Sequence, residues 1–390
     1  MAVAMVLAMT TWFSAAAVLP QLGDRWELGS TGGSMLTIAV QLGFVVGAVV
    51  SAVTNLADRI PPRRLVFLGT LLAAAANLGL LAADGLATAI PLRGLTGLAL
   101  AGVYPPALKS MAGWFRAGRG TAMGVMVGAL SLGSAVPHLV NGIGGLGWRS
   151  VVVATSVMTM AGGLVAELVG RDGPFRFPVA VFDPRWATQL FTQRGLRLAS
   201  LGYFGHMWEL YAMWAWFAAF ATTRFDERSW SDPAQAAAVA TFVVIGTGAV
   251  GSWLGGVVAD RWGRTLSTII AMGASGSMAA IIGFLTDAPT WLLGLLSLVW
   301  GLTVVADSAQ FSAMVSELAD QRYVGTAITV QLAVGFSLTV LTIFLVPVLR
   351  DGPGWGTAFA VLAAGPAIGL AAMIRLRRSP LATQLAGGRG

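Results

Sequence analysis

The run VVVATSVMTMAGGLVAELVG (151–170) carries a single charge in twenty residues, and eleven other stretches read the same way. They lie near 2–22, 33–56, 65–83, 87–110, 121–143, 198–221, 235–258, 266–286, 290–313, 325–348 and 356–376. A helix needs ~20 mainly apolar residues to cross a bilayer core of ~30 Å. Backbone facing lipid must satisfy its own hydrogen bonds, which leaves helices or closed barrels. Unbroken apolar runs exclude the alternating pattern of a barrel strand. Only 11% of the 390 residues are charged, against about a quarter in an ordinary soluble domain. The expected fold class is an all-α membrane protein with twelve transmembrane helices.

An even number of spans puts both termini on one side, and the basic residues choose which. Of 24 basic residues, 18 fall in the tail or in loops on the termini's side. Arg25, Arg149, Arg224, Arg228 and Arg350 fall on the other side, and Arg93 lies within a span. The expected location is therefore the cytoplasmic (inner) membrane, multi-pass, with both termini cytoplasmic. The net charge of +7 is then a topology signal and a contact for anionic lipid, and no nucleic-acid partner is implied. Cysteine is absent, which removes disulfides and thiolate metal sites. Met1 to Leu22 has spanning length and no basic leader, the pattern of a first span rather than of a cleaved signal. Its bare start points to a natural N-terminus a few residues upstream.

The chain repeats itself. RGTAMGVMVGALSLGSAV (119–136) matches VGTAITVQLAVGFSLTVL (324–341), GLGWRSVVVA (145–154) matches GPGWGTAFAV (352–361), and ADR occurs at 57–59 and 259–261. The offsets of 205, 207 and 202 residues are nearly constant. The expected organisation is an N-terminal six-helix bundle (1–170), a linker (171–197), a C-terminal six-helix bundle (198–376) and a tail (377–390). Pro174, Pro178 and Pro184 break the linker, and a short helix from Pro184, with Trp186 and Phe191, is expected to rest on the membrane surface.

GGVVADRWGR (255–264) fits the loop pattern G-x-x-x-D-R-x-G-R, and with the repeat it makes the chain resemble the major facilitator superfamily over essentially its whole length. The resemblance implies a gating loop at the inner face formed by Gly256, Asp260, Arg261, Gly263 and Arg264, and a monomeric protein. The first-half loop NLADRIPPRRL (55–65) keeps Asp58 and Arg59 but has Pro61 and Pro62 where the family has glycine and arginine; Arg63 is the candidate substitute. Arg93 in LRGLTGLALAG (92–102) looks like the family's fourth-span arginine. GALSLGSAVPHL (128–139) is similar to the fifth-span antiporter motif but lacks its Gly-Pro dipeptide, so it does not select export. WFRAGRGTAMG (114–124) and the GWR at 147–149 are closest to the cyanate and nitrate permease-like branch. The glycine-rich nitrate signature is absent, and nitrate is not implied. Independently of the family, Asp58 and Asp260 can each receive the N-terminus of a facing helix, where negative charge is favoured.

Polar residues inside spans are costly and mark candidate sites. In GYFGHMWELYAMWAW (202–216), Glu209 lies about twelve residues into its span, ~18 Å along a helix rising 1.5 Å per residue. His206, three positions earlier, shares its face, and the two are expected to pair as a proton-coupling site. Asp307 and Gln310 repeat the spacing on span ten. By the repeat they correspond to Tyr104, Pro105 and Pro106 on span four, where the prolines should break the helix. Arg93 is a candidate for an anionic solute or a carboxylate. Gln41, Gln331 and His138 are spaced for a cavity, and Trp12 and Tyr211 are candidate contacts to a solute. Most of the 14 tryptophans are expected at the membrane interfaces.

These readings lead to a secondary transporter that moves a small organic or anionic solute by alternating access, coupled to protons. No nucleotide-binding loop, metal site or cofactor motif is present. A membrane-embedded enzyme would need a catalytic cluster that two histidines on separate spans do not supply. A transporter-like sensor acting through a partner would need more soluble chain than a short linker and tail.

Overall fold

The computed structural model describes residues 1–115, 118–143, 146–171, 173–175 and 183–390. Arg116, Gly145, Arg176 and Pro178 of the sequence reading lie outside them. Among the described residues there is no strand, and ten helices are long and apolar enough to cross a membrane. We number the spans in chain order: α2 (Ser30–Val53), α3 (Pro62–Gly79), α4 (Leu86–Leu100, resuming as Tyr104–Ala112), α5 (Arg119–Gly142) and α6 (Trp148–Val169) follow α1 in the first half. In the second half are α7 (Arg194–Asp226), α8 (Pro233–Trp262), α9 (Arg264–Ile281), α10 (Thr290–Thr303, resuming as Ser308–Leu318), α11 (Val324–Asp351) and α12 (Trp355–Ala360, resuming as Ala364–Arg377).

The remaining two elements, α1 and α7, complete the expected twelve but depart from the simple pattern. α1 is segmented as Ala2–Ala8, Met9–Thr11, Ser14–Ala17 and Leu19–Trp26. The chain leaves helical geometry at Phe13 and Val18. Pro20 contributes to the second break, because it lacks the N–H that would continue the ladder. α7 is a continuous 33-residue helix, about 50 Å at 1.5 Å per residue. The polar and charged residues it carries keep it out of the purely apolar class.

Packing supports the duplication. Gly43 and Gly47 of α2 lie against residues 94 and 98 of α4, so closely that a Cβ on either would fall on backbone. Gly251 and Gly255 of α8 lie in the same way against residues 302 and 306 of α10. Each second-half residue follows its counterpart by 208 (43 to 251, 47 to 255, 94 to 302, 98 to 306). Both partner helices break at this contact, α4 just past it, before Tyr104, and α10 within it, between Thr303 and Ser308. Small residues let helix backbones approach where lipid supplies no hydrophobic drive between helices. Gly251→Val should force α8 and α10 apart at a cost of about 1–3 kcal/mol, the usual penalty of overpacking. A thermal melt of the detergent-purified variant equal to that of the parent would contradict this.

The halves meet along two seams. α5 packs on α8 over its whole length: Gly120, Gly124 and Gly128 lie against Gly256, Ser252 and Ala249, and Ser131 Oγ donates to the Ile245 carbonyl at 2.8 Å. At the other end Gln235 Nε2 donates to the Gly142 carbonyl at 3.0 Å. Of the glycines in the stretch similar to an antiporter motif, Gly128 packs at this seam and Gly133 against Val6 and Met9 of α1. The second seam joins α2 to α11, where Phe44 and Phe336 meet with ring centroids 4.5 Å apart.

The linker segment Pro184–Thr188 is a 3-10 turn leading into Gln189–Thr192. Its Trp186 ring stacks on Tyr323 at 3.9 Å, which ties the segment to the start of α11. Phe191 is exposed.

Candidate functional site

Two cavities approach each other from opposite ends of the bundle. One, of about 690 Å³, opens at the basic end and is lined from both halves, by Ala48 and Ser51 of α2, Tyr104 of α4, Ser308 and Ser312 of α10, and Leu332 of α11. The other, of about 540 Å³, opens at the far end between α1, α5, α7 and α8, and its lining includes Ala16, His138, Ala215 and Ala237. An aromatic plug stands between them. Trp12 packs on Phe44 (5.1 Å), Tyr211 (5.8 Å) and Phe336 (5.9 Å), and Phe13 packs on Tyr211 and Trp214. Phe44 lies one turn from Ala48, and Phe336 one turn from Leu332, so the plug forms the floor of the basic-end cavity. Every member is buried. Trp12 and Trp214 of the plug, like Trp300, are core residues.

The expected His206–Glu209 pair does not form. Glu209 turns into the second bundle, where Oε1 accepts from Trp300 Nε1 (2.6 Å) and Oε2 from Ser275 Oγ (2.9 Å). It is 1% exposed and lines neither cavity. His206 instead faces the break in α10: Nδ1 lies 2.8 Å from Asp307 Oδ1 and Nε2 lies 2.8 Å from Ser308 Oγ. The physical reason is rotation about α7. Residues three apart on a helix differ by about 60° in direction, enough for one to face α10 near its break while the other faces α9 and the upper part of α10. Through Ser308 the His206–Asp307 pair stands one residue behind the wall of the basic-end cavity.

Arg93 has no carboxylate partner among the described residues. Its guanidinium donates to the carbonyls of Thr11 (3.0 Å), Leu36 (3.4 Å) and Trp12, to Ser14 Oγ (3.2 Å) and to Asn77 Oδ1 (3.2 Å). The Thr11 and Trp12 carbonyls end the first half of broken α1, where a helix presents partial negative charge. Arg93 thus fills the break with a tethered cation and fixes the backbone that carries Trp12 and Phe13. It lines neither cavity, so the expectation that it meets a solute anion or a carboxylate is corrected.

Of the loop 256–264, Asp260 alone reaches the other half by its side chain among the described residues. It accepts from the backbone N–H of Gly120 (3.0 Å) and of Thr121 (2.8 Å) and from Thr121 Oγ (2.8 Å), capping the start of α5. Gly256 packs on Gly120 within this contact. Gly263 takes φ 95°, a conformation that favours glycine, and lies against the backbone of Arg389 and Gly390. Arg264 stays within its own half, bonded to Glu317 (2.6–3.1 Å) and to Gln310 Oε1 (2.9 Å). Arg261 is exposed. In the first half, Asp58 pairs with Lys109, and Arg59 and Arg63 are exposed. The first-half loop therefore makes a tie within its half, which corrects the expectation of a second latch.

The other candidates scatter. Tyr104 lines the basic-end cavity and His138 the far-end cavity. Gln310 is occupied with Arg264. Gln331 lies 3.5 Å from Ser200 Oγ. Gln41 is fully buried, with neither amide atom bonded among the described residues. Sequence reasoning missed Trp300 and Ser275, the partners of Glu209, and Phe44 and Phe336 in the plug. Each sits in an apolar run where nothing distinguishes a cavity-facing side chain from a lipid-facing one. Glu317, an isolated acid at the end of an apolar helix, did carry a signal.

The geometry defines a multi-pass helical membrane protein whose two related halves enclose a path closed by an aromatic plug. Residues 1–330 match the family model of the Major Facilitator Superfamily. The chain belongs to this superfamily and is a membrane transporter. No curated protein matches it at a significant level.

Proposed function

We propose that the protein is a proton-coupled secondary transporter for a small organic solute, working by alternating access with its termini in the cytoplasm. The observation that carries this reading is the pair of cavities, each lined by both halves, that converge on one plug. Rocking of the halves would widen one cavity at the expense of the other. The indole N–H groups of Trp12 and Trp214 have no acceptor among the described residues, so a solute with hydrogen-bond acceptors and a flat apolar face suits the plug. Buried polar groups left unpaired cost about 1–3 kcal/mol each, and a solute would relieve that cost. The His206–Asp307 pair is the proton site in this reading, since it lies next to the wetted wall at Ser308. Glu209 stands one turn behind it as a supporting group.

Proteoliposomes containing a pH-sensitive dye test the proposal with a panel of small anions, cyanate-like compounds and neutral aromatic solutes. At least one should drive proton movement, and Asp307→Asn should abolish that movement while leaving solute binding. Solute uptake with no proton movement, or full proton movement in the Asp307→Asn variant, would refute the coupling.

A further inference from the structure

The far-end cavity holds a feature that the transport reading does not use. His138 is 1% exposed, lines the cavity, and has neither ring nitrogen bonded among the described residues. Of its polar neighbours on α5, Ser134 Oγ is likewise buried and unbonded among the described residues, whereas the amides nearby are engaged. Asn141, one turn along α5, donates to the Ala17 carbonyl (2.9 Å) and accepts from Gln21 Nε2 (3.2 Å). Gln21 Oε1 in turn accepts from the Trp148 N–H (2.5 Å), and Thr222 Oγ donates to the Ala218 carbonyl (2.9 Å). One imidazole with an open donor and an open acceptor is thus aimed into a space of about 540 Å³.

The remaining lining decides what can fill that space. Its walls are alanine, leucine, proline and glycine, apolar and close to the chain axis. Two carboxylates, Asp24 and Glu27, line it as exposed residues, and neither has an ion-pair partner among the described residues. The single cation of the lining, Arg350, is already held: its Nε donates to Asp351 (2.7 Å), and its guanidinium lies 5.5 Å from the Trp216 ring and 5.7 Å from the Trp355 ring. Nearby Arg25 lies over Trp148 at 5.8 Å. Counted over the lining itself, two carboxylates stand against one arginine that is already paired with Asp351, so the lining is net negative, which raises the local concentration of cations and repels anions.

We infer that the far-end cavity is a binding site for a protonated organic amine with an apolar body and a polar group at its other end. The ammonium belongs with Asp24 and Glu27, the body lies along the alanine walls of α7 and α8, and the polar group meets His138, which can donate to it and accept from it. Binding here needs no movement of the halves, so it stands or falls separately from the alternating-access reading.

The absence of cysteine makes a clean test available. Ala219, a wall residue, is replaced by cysteine in the full chain, and its maleimide labelling is followed in detergent with three matched probes: tyramine (cationic), 4-ethylphenol (neutral) and 4-hydroxyphenylacetate (anionic). Tyramine should protect Cys at position 219 at the lowest concentration, and 4-hydroxyphenylacetate should protect least. Replacing both carboxylates (Asp24→Asn with Glu27→Gln) should weaken tyramine about tenfold, the scale of a lost charge contact, and leave 4-ethylphenol unchanged. His138→Ala should weaken both phenols; His138→Gln, which keeps a donor and an acceptor, should restore part of the protection. A single Cys at position 48 in the basic-end cavity should be protected by none of the three. Equal protection by cation and anion, no protection by tyramine, or protection indifferent to His138 would each overturn the assignment.

Discussion

Replacing Arg93 with glutamine should cost on the order of 3 kcal/mol of stability, since hydrogen bonds to a charged group contribute about 1.5–3 kcal/mol each and are not additive. The structure gives the reason. Three carbonyls, a hydroxyl and an amide oxygen converge on this guanidinium inside the first bundle, and each buried acceptor stranded by the change costs about 1–3 kcal/mol. Glutamine keeps one amide group and cannot reach acceptors spread over α1, α2 and α3. Arg93→Lys should be intermediate, because an ammonium keeps the charge but not the planar fork. The measurement is thermal unfolding of the purified variants, read beside the labelling of a single Cys at position 16 next to the plug. Loss of the clamp should loosen the α1 break and raise that labelling. If Arg93→Gln melts with the parent and labels no faster, the clamp has no energetic role.

The second large effect is expected at the latch. Asp260→Ala removes three bonds between the halves together with a negative charge at a helix start. Hydrogen bonds to a charged group contribute about 1.5–3 kcal/mol each, and they are not additive. A net loss of about 3 kcal/mol changes an open-to-closed ratio by about two orders of magnitude. Ser252 lies on the same seam, is 1% exposed and faces Gly124. A cysteine placed there should react slowly with maleimide in the parent and far faster with Asp260→Ala. Asp58→Ala is the matched control, since Asp58 is paired with Lys109 inside its own half, and it should leave the labelling unchanged. If both substitutions act alike, or neither acts, the seam is not held by Asp260.

These two residues also mark how far the sequence could be read. Asp260 was legible because a loop pattern and a helix start opposite a carboxylate carry their own physical logic, and the contact with Gly120 and Thr121 follows that logic. Asp58 matched the same pattern and took a different partner, Lys109, because the prolines at 61 and 62 restart α3 immediately. Arg93 was legible as an expensive residue in a span. Its partner was not legible, because backbone carbonyls become acceptors only where a helix breaks, and the break at Phe13 has no proline beside it. His206 and Glu209 were assigned to one face by their spacing, yet the rotation between them is enough to send each to a different neighbour.

The duplicated landmarks, the apolar run lengths and the basic bias of alternate loops are local properties of the chain. They were sufficient for an all-helical membrane fold and for the resemblance to its superfamily, because a bilayer admits few ways to satisfy a backbone. What sits opposite each polar side chain is not local. Only the tertiary structure decided that Asp307 answers His206, that Trp300 and Ser275 answer Glu209, and that six aromatic residues from α1, α2, α7 and α11 meet as one plug. In apolar surroundings a polar group pairs with whatever donor or acceptor comes within about 3 Å, and that depends on helix rotation and packing, which a periodic run of apolar residues leaves open.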